Sequence, residues 1–165
     1  MTGVSVAEAI TQETGVPSRV KWPNDVMLGE RKVCGILTET PSGEPEAATI
    51  VGVGINVNVD PGPAGLPPTA TSLLAELGRG SSRADLFAAI ITRLDGYLVH
   101  DPNSVRGDIL DRWRGLLWRR NQVVRLADQG LVIEGVIEEV TAMGSLLLRV
   151  ATGETREITT GELLL

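Results

Sequence analysis

Residues 48–59 limit what this chain can fold into more than any other stretch. Taken at period two, Val51, Val53, Ile55, Val57 and Val59 share one face, and Gly52, Gly54, Asn56 and Asn58 share the other. Glycine weakens a strand interior, so two on one face leave that face bare. Either a closely packed helix or a flat ligand then lies against it, with Asn56 at hand as both donor and acceptor. The pattern alone keeps both occupants open.

The surrounding sequence supplies strands first and helices second. Residues 4–14 follow a helical pattern closed by Gly15 and Pro17. No strand precedes this helix, and a helix of its length is marginal alone, so the opening reads as the middle of a domain. Strand-like runs at 19–22, 26–28 and 32–39 are separated by a Pro23-Asn24-Asp25 turn and a Gly29-Glu30-Arg31 hairpin loop. Residues 40–46 and 61–68, rich in Pro and Gly, are loops. Helical patterns at 71–77, 84–99 and 104–118 follow, with Ser82 and Asp85 at capping-box spacing. After the polar joint Arg119-Arg120-Asn121, short runs at 122–126, 131–140, 145–151 and 155–160 suggest a small SH3-like β-barrel. The expected fold class is α+β, divided into residues 1–118 and 119–165.

Composition removes several function classes. A net charge of −6 over 165 residues disfavours nucleic acid and anionic membrane surfaces as partners. No run approaches the ~18 apolar residues of a membrane span, and the start lacks a signal-peptide pattern, so a cytoplasmic protein is expected. One cysteine, Cys34, excludes an internal disulfide framework, and one histidine, His100, removes most zinc arrangements. Neither sits in a nucleophile motif, and no protein metal site is expected. Cys34 reads as a small buried hydrophobe.

The chemistry-bearing segment is residues 19–25. In a strand, Arg19 and Lys21 share the face opposite Val20 and Trp22. Lysine is a compact charge on a long stem, suited to steadying carboxylate or phosphate oxygens, although a strand-end lysine facing solvent fits the same pattern. Asp25 fits a turn residue and a ligand equally.

In order, Lys21-Trp22-Pro23-Asn24-Asp25-Val26, Arg31-Lys32-Val33-Cys34-Gly35-Ile36-Leu37-Thr38-Glu39, Val51-Gly52-Val53-Gly54-Ile55-Asn56-Val57-Asn58 and Ala70-Thr71-Ser72-Leu73 resemble the biotin–protein ligases. The resemblance reaches the terminal Thr160-Gly161-Glu162-Leu163. It is weaker at residues 118–121, where the family more often has a Leu-Gly step. It implies part of a class II synthetase-like catalytic domain, a mixed or antiparallel sheet with helices on one face, followed by the SH3-like barrel. It also implies a two-step reaction. Biotin and Mg-ATP give biotinyl-AMP, and a lysine of a biotin carboxyl carrier domain then takes the biotinyl group and releases AMP.

Carried over residue by residue, the resemblance makes Lys21 the cation that steadies the oxyanions and contacts biotin. Gly35, Gly52 and Gly54 line biotin, Asn56 binds adenine, and Lys32 helps hold the triphosphate. Trp22, Asn24 and Asp25 stiffen the site. The implied small molecules are ATP, Mg2+ and biotin, with a homodimer through sheet edges as a further expectation. The family's Gly/Arg-rich segment, G-R-G-R-x-G-R in outline, does not occur in this sequence, and Gly78-Arg79-Gly80 is in the wrong place. The chain therefore resembles the second half of the catalytic domain plus the barrel and is expected to have little activity alone. No helix-turn-helix is read ahead of it, so a repressor role is not expected. A lipoate or octanoate ligase relative and a non-catalytic carrier-binding module are the competing expectations.

Overall fold

The computed structural model describes residues 1–39, 48–99, 102–128 and 130–165, without the side chains of 102–105. His100 and the loop expected at 40–46 lie outside the described residues.

Helix α1 (Thr2–Thr14) ends at Gly15, whose φ of +73° is the left-handed cap that glycine adopts freely. Its apolar side, including Val6, Ala9 and Ile10, is buried. Strands β1 (Ser18–Lys21), β2 (Asp25–Leu28), β3 (Arg31–Glu39) and β4 (Ile50–Ile55) form an antiparallel sheet in that order. Of the mixed and antiparallel alternatives, the ladders take the antiparallel one. The β2–β3 turn is shorter than expected, because Arg31 already pairs with Leu28 and leaves Gly29-Glu30 as a two-residue loop.

Pairing assigns the two faces. Val20, Val26, Cys34 and Ile36 join Val6, Ala9 and Ile10 of α1 in one core. On the other face, Lys21 pairs with Asp25, Asp25 with Gly35, and Gly35 with Gly54, a single row across all four strands. Helices therefore cover one face, and the other keeps the glycines.

The strand expected over 48–59 is only Ile50–Ile55, and it is largely exposed. Past Ile55 the chain peels away from β3: Asn56 N still donates to Val33 O at 2.9 Å, but Asn56 O and Val57 O accept from Leu73 N and Leu74 N of α2 (Leu73–Leu77). Helix α3 (Arg83–Leu98) starts at Ser82, whose hydroxyl accepts from Asp85 N at 3.2 Å. A cap not foreseen in the sequence, Ser72 accepting from Ala75 N at 3.1 Å, starts α2. Helix α4 (Pro102–Leu116) leads to the second sheet, starting two residues ahead of the expected 104.

Strands β5 (Val123–Asp128), β6 (Leu131–Val140), β7 (Leu146–Val150), β8 (Thr155–Ile158) and β9 (Glu162–Leu163) form an antiparallel sheet ordered β8-β7-β6-β5-β9. β9 was not foreseen, because two residues carry no period. The joint bends through Arg119 and Asn121, at φ of 54° and 62°.

Two tryptophans stitch the sheets together. Trp22, at the end of β1, is buried in the core of the second sheet, and its Nε1 donates to Gly144 O at 2.9 Å. Trp118 Nε1 donates to Gly29 O at 3.0 Å in the opposite sense. Arg119 stacks on the Trp118 ring, 4.4 Å from its centroid, and its Nε donates to Glu30 at 3.0 Å. Each buried N–H left unpaired here would cost about 1–3 kcal/mol.

Candidate functional site

A bulge between the β2–β3 pairs brings the site residues together. In a regular strand Lys32 and Gly35, three apart, point to opposite faces. Val26 pairs with Cys34 but Met27 pairs with Lys32, so Val33 is the extra residue and Lys32 comes onto the glycine face. Val33 is fully buried in the helix-covered core.

The Lys32 ammonium then lies 2.6 Å from Asp25 Oδ1, and Lys21 Nζ lies 3.4 Å from Asp25 Oδ2. One carboxylate thus holds two cations. The Lys21 side chain is 2% exposed, Asp25 9%, and Lys32 41%. Burying an ammonium costs on the order of several kcal/mol even when it is paired, so this arrangement is a poor way to gain stability. Lys32 is the cation that solvent or a ligand reaches, and Lys21 is the charge behind it.

Gly35 makes room for this. A Cβ there would lie 3.2 Å from both Cε and Nζ of Lys32. The lysine stem thus crosses the position expected to receive biotin. Gly52 and Gly54 meet only β3 carbonyl oxygens at 3.8 and 3.9 Å, so among the described residues their face is open and no helix covers it. Among the described residues no helix packs on the glycine face.

The segment before α2 anchors both ends of the site. Lys32 N donates to Thr69 O and Thr71 N to Lys32 O, both at 2.8 Å. Asn56 Nδ2 donates to Thr71 O at 3.0 Å, which leaves its Oδ1 without a hydrogen bond among the described residues. Thr71 lies within the Ala70-Thr71-Ser72-Leu73 motif, and nothing in the neighbouring sequence signals this anchoring role. Asn24 is structural, its Nδ2 donating to Ile36 O at 2.7 Å. Trp22 faces the second sheet's core, and Arg19 joins neither ion pair at Asp25. From Lys21 to Gly54 the row spans three interstrand steps of about 4.8 Å, roughly 14 Å in all.

Cys34 stands behind the row, and burial, reinforced by the Asp25 charge, pushes its thiol up to about 12. At that value it is a packing residue. No group of three or more His, Cys, Asp or Glu placed to hold a metal occurs among the described residues. No helix among them is long and apolar enough to cross a membrane.

Comparison with known proteins agrees with the motifs. The model of the biotin/lipoate A/B protein ligase family matches residues 1–56. The bifunctional ligase/repressor BirA of Escherichia coli is 32% identical over 147 residues, 88% of this chain and 46% of that protein. The biotin–[acetyl-CoA-carboxylase] ligase of Mycobacterium tuberculosis is 28% identical over 165 residues, 97% of this chain and 59% of that one. The Aquifex aeolicus biotin protein ligase, solved with biotin and ATP, superposes with a TM-score of 0.83 at 29% identity. That match covers 99% of this chain and 68% of the Aquifex chain. The chain spans about half the length of the curated relatives it matches. By motif order, sequence and fold, the chain is similar to the biotin–protein ligases, and its residues 1–56 carry the pattern of the biotin/lipoate A/B protein ligase family.

Proposed function

We propose that the glycine face is where biotin and ATP are joined as biotinyl-AMP, before transfer to a lysine of a biotin carboxyl carrier domain. The observation that carries this is the row Lys21–Asp25–Gly35–Gly54, with Lys32 brought onto it by the bulge. When biotin's carboxylate attacks the α-phosphate, negative charge spreads over oxygens of both groups. Lys32 is the cation placed to meet it, and Lys21 adds a second positive charge from behind Asp25. Both act electrostatically and move no proton. Gly52 and Gly54 leave room for the fused biotin rings, and Asn56 Oδ1 is an acceptor suited to adenine's amino group. Mg2+ arrives with ATP, since Asp25 is the one carboxylate of the row and magnesium favours phosphate and water oxygens over protein cages.

The same reading divides the chain at residue 119. It makes residues 119–165 a small barrel of the SH3-like kind, which the bonding of β5 to both β6 and β9 supports. It places the protein in the cytoplasm and its homodimer along a sheet edge, β4 having no outer partner among the described strands. With no Gly/Arg-rich segment in the sequence, the chain alone should show little biotin-dependent pyrophosphate exchange. Biotin is preferred over lipoate because the Aquifex match holds biotin and ATP.

The test is a chimera in which this chain replaces the corresponding part of the Mycobacterium tuberculosis ligase. Biotin-dependent AMP formation that Lys32→Ala and Lys21→Ala abolish supports the proposal. A folded chimera that binds the carrier domain equally with or without either lysine, and forms no AMP, favours a non-catalytic carrier-binding module.

A further inference from the structure

Lys21 and Lys32 are the only lysines in this chain, and the other thirteen basic side chains are arginine. Both lysines end on Asp25. An acyl-adenylate is a mixed anhydride that acylates amines, whereas an always-charged guanidinium does not accept it. A lysine that steadies the reacting carbonyl therefore sits beside the one bond it must not attack. Lys21 is shut away at 2% exposure, so Lys32 is the lysine an acyl group reaches. In its 2.6 Å pair with Asp25 the Lys32 ammonium is engaged by a carboxylate oxygen and is not free to meet an acyl carbon.

We propose that Lys32 is a latent self-acylation site and that Asp25 guards it. The inference rests on the biotinyl-AMP reading above. Unguarded, the neutral nitrogen attacks the anhydride carbonyl carbon. The C–N bond forms and the C–O bond to phosphate breaks. AMP leaves with that electron pair, and a proton passes from nitrogen to water. The product is a neutral amide, so the reaction erases the charge the site depends on. Gly35 belongs to the guard, because a methyl group there meets Cε and Nζ of Lys32 at 3.2 Å, so the lysine end gives by a few tenths of an ångström and its pair with Asp25 loosens without any change of charge.

The purified chain is mixed with synthetic biotinyl-5′-AMP and, separately, with N-acetoxysuccinimide, and labelled peptides are followed by mass spectrometry. Asp25→Asn should label Lys32 about tenfold faster than the parent, Gly35→Ala should move the same way, and Asp25→Glu should stay near the parent rate. Asp25→Asn combined with Lys32→Arg should lose the label. Labelling of buried Lys21 reports unfolding, and if Asp25→Asn shows it, Gly35→Ala decides. Equal rates at Lys32 in parent and folded variants with both reagents overturn the guard. Faster acetylation without faster biotinyl transfer leaves the guard standing and refutes the biotin reading.

Discussion

The two sheets use burial for opposite ends. The second sheet closes on Leu126, Ile137, Leu146, Leu148 and Leu163, all fully buried and apolar. The first buries a charged pair, Lys21 and Asp25, and leaves Val51 and Val53 of its last strand about 40% exposed. The second sheet is organised for stability and holds the Trp22 side chain. The first gives up stability to keep two cations on one carboxylate beside an open glycine ribbon.

The sharpest way to break this contrast is at the cations. In an active chimera, Lys32→Ala should slow biotin-dependent AMP formation by about 10²–10³, with Lys21→Ala as a second large effect, measured as steady-state release of AMP. Neither should unfold the second sheet. Next comes packing. Leu148→Ala should cost about 2–5 kcal/mol in urea unfolding, whereas Val53→Thr on the exposed strand should fall within about 0.5 kcal/mol of the parent. Equal costs would erase the distinction between the sheets.

A smaller effect tests the seam. Trp22→Phe keeps the aromatic ring but strands Gly144 O, and should cost about 1 kcal/mol in thermal unfolding. The smallest is electrostatic. Glu138, held below its usual 4.5 by hydrogen bonds from Arg149 and Thr155, adds stability above that value and loses it as pH falls through its lower folded value. Glu138→Gln should remove only this shallow acid-side slope from the pH dependence of the melting temperature.

Sequence periodicity reached the glycine face, the helices, the Ser82 cap and the strand-rich end because those depend on neighbouring residues. It did not reach the bulge at Val33, and so Lys32 could be given only a supporting role from its motif. Nothing local marks the extra residue, which is set by pairing with β2. The end of β4 was misjudged for a similar reason. Residues 56 and 57 keep strand-like character, but their carbonyls are taken by Leu73 and Leu74. The turn at Asn24 and Asp25 was legible as a turn, while the double pairing of Asp25 needed the third dimension. Cys34 was read correctly as packing, and its raised thiol predicts no reaction with iodoacetamide in the folded chain.

With two lysines in the whole chain, carbon-13 labelling of lysine gives an NMR spectrum of two ε-methylene signals. Titration with biotinyl-5′-AMP should move the Lys32 signal most, the Lys21 signal less, and both more than lipoyl-AMP does. Saturable binding of biotinyl-AMP that leaves both signals in place would contradict the assignment of the glycine face as the adenylate site.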